Sequence, residues 1–383
     1  MKKYDLIVVG GGALGVFHAY HALRLGLKVA LFERDSKPMS ASVRNFGQIV
    51  PSGMNTHWQR LGRRSLAIYQ DIQQKFDISA RKNGTVYIAS NLEELTLIEE
   101  LATINKQEGY SSELLTKTQC LDRYQGLKAD YCVGGLYFAD EITLEPRLAI
   151  GQVIKYLAEQ EGLYCFPSQT VIDIQENRQE CVVKTNQGQI HAADKVMVCN
   201  GSEFKILYPT LFEASDIVAV KLQMLQTEPQ PTQRFAGSIL TGLSIRRYEA
   251  FEACPSYQKI KSAEDTAALT KRWGVHILFK QATDGSVIVG DTHEYAPVAE
   301  IDDLGFDNRQ DMNELMMDEA QKIIDLQTNQ IKDVWNGVYC QSKTKDIFQH
   351  NVSDNVQIVT GIGGKGMTAS PGFAEMNIAK IFN

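Results

Sequence analysis

The first part of the chain alternates between short apolar runs and a segment with helical spacing. Residues 4–9 (YDLIVV) form a continuous apolar run, which is typical of a strand buried on both faces of a parallel sheet. Residues 16–26 (VFHAYHALRLG) have apolar positions at helical spacing and end at a glycine, and residues 28–34 (KVALFER) again resemble a strand. This order predicts a β–α–β unit at the start of the chain.

The pattern continues with helices and strands, and its character changes near residue 215. Amphipathic runs at 60–76 and 144–162 predict helices, whereas 84–90, 170–174, 181–185 and 194–202 predict strands. From about 215 to 335, polar residues alternate with apolar and aromatic ones, including 244–251 (SIRRYEAF), and a helical stretch follows at 310–327. We therefore expect a second lobe that is built on a mostly antiparallel sheet and inserted into an α/β fold.

The last forty residues repeat the order of strand, glycines and helix. Residues 356–361 (VQIVTG) predict a strand, and glycines dominate the next few positions (GIGGKGMTASPG, 361–372). We expect the final helix to begin near Ser370 and Pro371, because proline is favoured in a first helical turn. Such a turn aims backbone N–H groups and the positive end of the helix dipole at one point.

Composition excludes several classes of protein. The chain has 383 residues, 44% hydrophobic content and a net charge of −7, which is globular and mildly acidic. We expect no nucleic-acid or membrane partner, since neither a basic excess nor an apolar run of about 18 residues is present. Seven scattered cysteines without a C-x-x-C pair argue against a zinc site and for reduced thiols. Asp5 in the first apolar run argues against a signal peptide, so we expect a cytoplasmic protein.

The first glycine cluster carries the chemistry of dinucleotide binding. Gly10, Gly12 and Gly15 form G-x-G-x-x-G directly after a strand and before a helix, and Glu33 ends the second strand. In this motif the glycines allow a tight turn, the approach of a pyrophosphate and close packing of helix on strand. The acid accepts a hydrogen bond from a ribose hydroxyl. The motif does not distinguish NAD from FAD.

A polar segment at 37–53 (KPMSASVRNFGQIVPSG) follows the second strand. Its hydroxyl and amide groups suit hydrogen bonds to phosphate or ring heteroatoms, and its glycine suits a close approach; an ordinary polar loop is the alternative. The residues concerned are Ser40, Ser42, Arg44, Asn45 and Gly47.

The closing glycine turn favours FAD over NAD. A helix N-terminus near N1 and the C2 carbonyl of a flavin stabilises the negative charge of its reduced form. A nicotinamide enzyme does not need this second device. We therefore expect one glycine loop to hold the pyrophosphate and the other to receive the flavin.

The motifs VVGGGALG, ALFER and SASVRNFGQ resemble those of the D-amino-acid-oxidase-like FAD-dependent oxidoreductases, which include glycine oxidase and sarcosine oxidase. The segment ASVRNFGQ is similar to the corresponding segment of a bacterial branch of the family that is associated with phosphonate breakdown. The resemblance implies an α/β FAD-binding Rossmann-like domain with an α+β substrate domain built on a mostly antiparallel sheet. It assigns 1–80, 141–215 and 336–383 to the first domain, and 81–140 and 216–335 to the second.

The resemblance also implies further contacts with the cofactor. The residues that it adds are Ala13, Leu14, Arg34, Val171, Asn200, Gly201, Gly363, Gly364, Lys365, Gly366, Met367 and Thr368. Cys340 lies in a segment (CQSKTKD) similar to the one whose cysteine bonds to FAD in sarcosine oxidase, so it is a candidate covalent tether. Ile288 stands where sarcosine oxidase has a lysine that helps to activate oxygen, which weakens the expectation of oxidase activity.

The implied reaction is hydride transfer from a C–H beside an amine nitrogen to flavin N5. The imine would hydrolyse to a carbonyl product, and O2 or another acceptor would reoxidise the flavin. The cofactor carries this chemistry, so no acid–base triad is expected. The substrate would be a small anionic amine, and the candidate substrate-site residues are Gln48, Arg246, Arg247, Tyr248, His293 and Lys365.

The substrate-site candidates each have a structural alternative. Arg246 and Arg247 are predicted on a strand, where neighbours face opposite sides, so only one can point into a site. Either arginine can instead form a surface ion pair, Gln48 can pack in a strand, Lys365 can be solvent-exposed, and His293 can be an ordinary loop histidine. A flavin-binding sensor or assembly protein and an NAD-dependent dehydrogenase remain as alternatives, and the oligomeric state stays open.

Overall fold

The computed structural model describes residues 3–177 and 179–382. The strands are β1 (Lys3–Val9), β2 (Val29–Phe32), β3 (Gln48–Ile49), β4 (Arg81–Lys82), β5 (Thr85–Ala89), β6 (Glu113–Thr116), β7 (Gly134–Phe138), β8 (Ile142–Thr143), β9 (Tyr164–Phe166), β10 (Val171–Glu176), β11 (Cys181–Thr185), β12 (Ile190–Val198), β13 (Ile217–Thr227), β14 (Ser238–Leu240), β15 (His276–Gln281), β16 (Val287–Pro297), β17 (Ile331–Ser342), β18 (Phe348–Asn351) and β19 (Val356–Thr360). The helices are α1 (Ala13–Arg24), α2 (Thr56–Lys75), α3 (Leu92–Gln107), α4 (Lys117–Arg123), α5 (Pro146–Gln160), α6 (Pro209–Glu213), α7 (Gly242–Ile245), α8 (Tyr257–Ser262), α9 (Leu269–Arg272), α10 (Gln310–Gln321) and α11 (Gly366–Phe382).

The first sheet contains the predicted β–α–β unit. Strand β1 lies between β2 and β12, both parallel to it, and β19 adds a further parallel strand beside β12. Strand β9 pairs parallel with β2 at the other edge, and the antiparallel pairings of β10, β11 and β18 make the sheet mixed rather than purely parallel. The carboxyl ends of β1, β2, β12 and β19 meet at one edge, which is where sheets of this class bind ligands.

The second sheet has the order β17-β13-β16-β15-β14-β5-β7-β6. Every neighbouring pair is antiparallel except β14 and β5, so the prediction of a mostly antiparallel second lobe is confirmed. A third, small sheet has the order β3-β8-β4. It links β3, which follows β2, to β4 and β8, which lie just before β5 and just after β7 of the second sheet. The predicted domain boundaries stay a prediction; β17, which belongs to the second sheet, crosses the one at 336.

The strand predicted over 244–251 is wrong. The segment is helix α7, Gly242–Ile245, followed by a 3-10 turn at Glu249–Ala253. Thr241 and Ser244 form a capping box at the start of α7, with each side chain bonded to the other's backbone N–H. These local hydrogen bonds override the alternating pattern that suggested a strand.

The predicted start of the last helix is also wrong, because α11 begins at Gly366 rather than near Ser370. Pro371 therefore lies inside the helix and cannot donate a backbone hydrogen bond. The Tyr69 hydroxyl of α2 donates to Met367 O at 2.8 Å and satisfies the carbonyl that faces the proline ring. The early start brings the helix N-terminus to the glycine turn itself.

Helix α11 packs against α1 and α2 in the core beside the first sheet. His18 and His21 of α1 reach α11 through Asn377 Nδ2 at 3.0 Å and Pro371 O at 2.9 Å. The helix axes come close at Gly372, where an added Cβ would lie 2.2 Å from Leu61 O of α2. This three-helix layer fixes both glycine loops on one side of the sheet.

Candidate active site

The first glycine loop is shaped by close contact with its neighbours. Gly10 has φ +103°, and an added Cβ there would lie 2.2 Å from Cys199 O at the end of β12. A Cβ on Gly15 would lie 2.0 Å from Gly10 O, so this glycine allows α1 to pack directly on β1. These contacts agree with the tasks predicted for the motif, a tight turn and close packing of helix on strand.

Side chains from the segment that follows β2 complete this loop. The Glu33 carboxylate accepts hydrogen bonds from Gly11 N at 2.8 Å and from Asp35 N at 3.0 Å. The Ser42 hydroxyl accepts from Ala13 N at 2.9 Å, at the N-terminus of α1. Arg34 lies 3.4 Å from the Ser40 hydroxyl. The polar segment is therefore bonded to the first glycine loop rather than independent of it.

A single cleft brings the two glycine loops together. It begins at the first loop, passes the polar segment and ends between the second sheet and the closing glycine turn. Every residue predicted to contact the cofactor lines it except Gly15, which lies behind the loop. The lining residues among them are Gly10, Gly12, Ala13, Leu14, Glu33, Arg34, Ser40, Ser42, Arg44, Asn45, Gly47, Val171, Asn200, Gly201, Cys340, Gly363, Gly364, Lys365, Gly366, Met367 and Thr368.

In the middle of the cleft, the side chains of Arg44 and Asn45 are bonded to backbone groups. Arg44 donates to Met39 O at 2.7 Å and to Asn336 O at 3.0 Å, and it makes no ion pair with a described residue. Asn45 Oδ1 accepts from Gly47 N at 2.8 Å and shapes the turn before β3. Arg44 therefore brings an uncompensated positive charge to the wall of the cleft.

Two side-chain amides lining the cleft have buried atoms without a hydrogen-bond partner. Gln48 Nε2 and Asn200 Oδ1 are both unsatisfied within the described structure. A buried amide group in this state costs free energy unless a ligand or water completes its bonding. They are polar positions at which a bound nucleotide or substrate can complete the site.

Lys365 lies in the closing glycine turn but already has two acidic partners. Its Nζ is 2.6 Å from Glu249 Oε1 and 3.1 Å from Asp346 Oδ1. Glu249 follows Arg247 and Tyr248 in the chain, so this ion pair joins the glycine turn to the substrate lobe. The charge of Lys365 is thus already balanced, and the residue is left out of the substrate proposal.

The far end of the cleft contains Arg247, Tyr248 and His293 together. Arg247 is half-buried, donates to Gly274 O at 3.2 Å and makes no ion pair with a described residue. His293 Nδ1 lies 2.9 Å from the same carbonyl and must donate to it. Burial, aided by the charge of Arg247, lowers the pKa of His293 to about 3, so the ring is neutral.

Sequence reasoning missed three further polar residues at this end, His276, Asp291 and Tyr339. His276 is bonded through Nε2 to the Ser244 hydroxyl at 2.7 Å, and burial lowers its pKa well below the usual value. Burial raises the pKa of Asp291 to about 7, against the opposing effect of Arg247. Burial also raises the pKa values of Tyr248 and Tyr339, which keeps both phenols neutral.

Arg246 does not line the cleft. Its guanidinium is 2.8 Å from Glu94 Oε1 and 2.8 Å from Glu93 Oε2 on α3, so it ties α7 to α3. Of the two neighbouring arginines only Arg247 lines the cleft, and both follow a helix end rather than lying on the predicted strand. Arg246 is therefore left out of the functional proposal.

We expect Arg246→Ala to destabilise the protein by about 3 kcal/mol, because it leaves the buried Glu94 carboxylate without its charge partner. Urea unfolding measures this change. Arg60→Ala is the matched control, since it breaks only an exposed pair with Glu108 and should cost less than about 1 kcal/mol. Equal losses in the two variants would contradict a structural role for Arg246.

A β–α–β loop shaped for a pyrophosphate and a second glycine turn at a helix N-terminus, both in one cleft, define a dinucleotide-binding oxidoreductase. The chain belongs to the family of FAD-dependent oxidoreductases described as DAO, whose model matches residues 5–379. Its cofactor is therefore FAD, and the nicotinamide alternative is set aside. Among the described residues, no helix is long and apolar enough to cross a bilayer.

Individual relatives are more distant. N-methyl-L-tryptophan oxidase of Salmonella dublin is 25% identical over 215 residues, which are 55% of this chain and 56% of that protein. The match thus spans about half the length of such curated relatives. Glycine oxidase from Geobacillus kaustophilus has a TM-score of 0.78 at 16% identity, covering 100% of this chain and 95% of that one. FAD-bound L-alpha-glycerophosphate oxidase from Mycoplasma pneumoniae has a TM-score of 0.76 at 18% identity, covering 99% of this chain and 95% of that one. These structural likenesses establish the fold.

The residues present fit FAD. The unpaired amide atoms of Gln48 and Asn200 line the cleft. Added Cβ atoms at Gly201 and Gly364 would meet no other atom within 4 Å. Open space at these two turns is what a cofactor lying along the cleft requires. When FAD is bound, we expect Glu33 and Ser42 to hold its adenosine and pyrophosphate end and the turn at Gly363–Lys365 to hold its flavin end.

Cys340 lines the cleft, but its thiol is already engaged. Its Sγ lies 3.2 Å from Gly201 O and 3.4 Å from the Thr360 hydroxyl. Burial raises the pKa of this thiol to about 11, and a covalent flavin bond needs the thiolate. We therefore expect acid precipitation to release FAD from the polypeptide, leaving no fluorescent flavin on a denaturing gel. Flavin that stays with wild-type protein but not with C340S would show that the tether exists.

Proposed function

We propose that this protein catalyses the FAD-dependent oxidation of a small amine or amino acid that carries an anionic group. The observation that carries the proposal is Arg247, a half-buried guanidinium in the cleft with one carbonyl contact and no described acidic partner. Arginine presents a planar set of donors that suits a carboxylate or a phosphonate. The redox chemistry is inferred from membership of the family, and the anionic class of substrate is inferred from Arg247.

Bound FAD would supply the acceptor for the hydride that leaves the C–H next to the substrate nitrogen. The protein orients the substrate: Arg247 binds its anionic group, and Gly274 O holds both Arg247 and His293 in place. Leu222 and Leu278 give the same end of the cleft an apolar wall that excludes water. The imine product then hydrolyses to a carbonyl compound and ammonia or a smaller amine.

The relatives support an amine substrate without specifying it. One oxidises N-methyl-L-tryptophan by name and another is a glycine oxidase, but a glycerophosphate oxidase shares the fold. We propose amino acids, N-methyl amino acids and aminophosphonates as the classes to examine, with O2 or another acceptor reoxidising the flavin. The similarity of ASVRNFGQ to a phosphonate-associated branch is the reason for including the last class.

The test is an anaerobic titration of the purified holoprotein with glycine, sarcosine and 2-aminoethylphosphonate, with glycerol 3-phosphate as the amine-free comparison. We expect one of the three amines to bleach the flavin absorbance. Peroxide release and reduction of a dye acceptor, assayed in parallel, separate an oxidase from a dehydrogenase. Bound FAD that no amine of these classes reduces would favour the flavin-binding sensor.

A further inference from the structure

Asp291 is a buried carboxyl group of the cleft whose bonding is incomplete. The residue is 6% exposed, and its Oδ1 has no hydrogen-bond partner within the described structure. The nearest ring nitrogens, His276 Nδ1 and His293 Nδ1, each lie 3.7 Å away, which is too far for a hydrogen bond. Because a buried carboxylate oxygen without a partner is costly, its retention beside an open cleft calls for a ligand.

A β-bulge aims Asp291 into the cleft. On β13, Met224 pairs with Asp291 and Leu225 pairs with Val289, so Gly290 is the extra residue. The pairing of β16 with β15 is also irregular here, because His276 pairs with Asp291 and Phe279 pairs with Val289, so three steps along β15 oppose two along β16. Gly290 has φ +55°, and the bulge reverses the alternation of side chains beyond it. Asp291 and His293 therefore both line the cleft, two residues apart on one face.

At the end of the cleft that contains Arg247, the groups around Asp291 are already bonded or neutral, so Asp291 is the residue that can accept a proton there. His293 donates through Nδ1 to Gly274 O, and His276 is held through Nε2 by Ser244, so both rings already have fixed partners. Tyr248, on the segment after α7, and Tyr339, on β17, face the carboxyl as neutral phenols. Arg247 is the one cation that acts on it among the described groups.

We propose that Asp291 binds the amino group of the substrate and takes its proton before oxidation. The inference rests on the proposed function and defines the substrate further, as a short zwitterion whose anion lies at Arg247 and whose ammonium lies at Asp291. The ammonium N–H bond breaks and an O–H bond forms on the carboxylate, which leaves the nitrogen lone pair free. That lone pair forms the C=N bond as the neighbouring C–H leaves with both electrons as hydride to bound FAD.

The main test is Asp291→Asn, which keeps the shape of the side chain and removes the acceptor charge. With the amine that reduces the wild-type flavin, we expect the rate of anaerobic flavin reduction to fall by about 100-fold or more. Asp284→Asn is the matched control, because Asp284 pairs with Lys332 outside the cleft and should leave the rate unchanged. FAD content and thermal unfolding verify that both variants are folded.

A second measurement uses the wild-type protein alone and compares glycine with acetate, its amine-free anion, by perturbation of the flavin spectrum. Between about pH 6 and pH 8 Asp291 becomes charged, so we expect glycine to bind more tightly and acetate more weakly as pH rises. In Asp291→Asn both affinities should be flat over this range. Sarcosine with propionate, or 2-aminoethylphosphonate with ethylphosphonate, replaces the pair if that amine is the substrate.

The outcomes separate the two proposals. Flavin reduction in the wild type with an unchanged rate and unchanged pH profile in Asp291→Asn would overturn the role of Asp291 and leave the proposed function intact. Parallel pH dependence of the zwitterion and its amine-free anion would overturn it as well. If none of the amines reduces the wild-type flavin, the proposed function fails and this inference fails with it.

Discussion

Arg247→Ala is expected to lower kcat/KM by about 100-fold or more while FAD remains bound. Removal of one partner from a buried, hydrogen-bonded charge pair typically costs 2–5 kcal/mol, which corresponds to about 30- to 4,000-fold in affinity. The guanidinium makes no ion pair with a described residue, so its removal breaks no salt bridge within the protein and the loss falls mainly on the substrate. Steady-state kinetics with the amine found by titration measure the effect, and we expect it mainly in KM.

Two companion variants make this result specific. Arg247→Lys keeps the charge but loses the planar fork, so we expect partial recovery. The neighbouring Arg246→Ala should reduce stability and leave KM unchanged, since Arg246 is bonded to Glu93 and Glu94. Removing the charge of Arg247 should also raise the pKa of Asp291, because that charge now lowers it, and should move the pH profile to higher pH. Unchanged KM in Arg247→Ala would contradict the anchor.

Gly15→Ala is expected to abolish FAD binding and to destabilise the fold by several kcal/mol. Its Cβ would lie 2.0 Å from Gly10 O and 3.1 Å from Val8 Cγ1, so helix α1 must move away from β1. Rigid backbone lies on both sides, and overpacking of this kind typically costs about 1–3 kcal/mol or more. The movement also displaces the loop that holds the pyrophosphate. FAD content after purification and chemical unfolding measure the two effects separately.

Gly151→Ala is the matched control for this prediction. Gly151 lies in helix α5, and an added Cβ there would meet nothing within 4 Å. Alanine is the better helix former by about 1 kcal/mol, so we expect this variant to be slightly more stable and fully loaded with FAD. Full FAD loading in Gly15→Ala would show that α1 and β1 need not approach each other so closely.

The nucleotide-binding half could be predicted from the sequence because its signals are local. The first β–α–β unit rests on apolar periodicity and on glycines whose spacing is fixed by backbone geometry, and Gly10 and Gly15 make the close contacts that this motif requires. The segment of Ser40 and Ser42 follows so closely that it has little freedom to leave the loop. The start of helix α11 lies about four residues before the predicted one, because the donor for Met367 O is the hydroxyl of Tyr69, far away in sequence.

The substrate end depends on contacts that periodicity cannot show. The alternation of residues 244–251 suggested a strand, but the capping box of Thr241 and Ser244 forms a short helix instead. Strict alternation along β16 places Ile288, residue 290 and Thr292 on one face, whereas the bulge brings Asp291 and His293 to the cleft. The one available signal for this irregularity was Gly290, a glycine inside a strand pattern.

The layer formed by α1, α2 and α11 has a consequence for how the protein is made. His18 is bonded to Asn377, a separation of 359 positions, and His21 is bonded to Pro371, a separation of 350. A nascent chain on the ribosome carries the motif at residues 10–15 long before it contains the helix that packs against α1. The packing around α1 can therefore be completed only after α11 has been translated, and shorter nascent chains would need protection from aggregation until then.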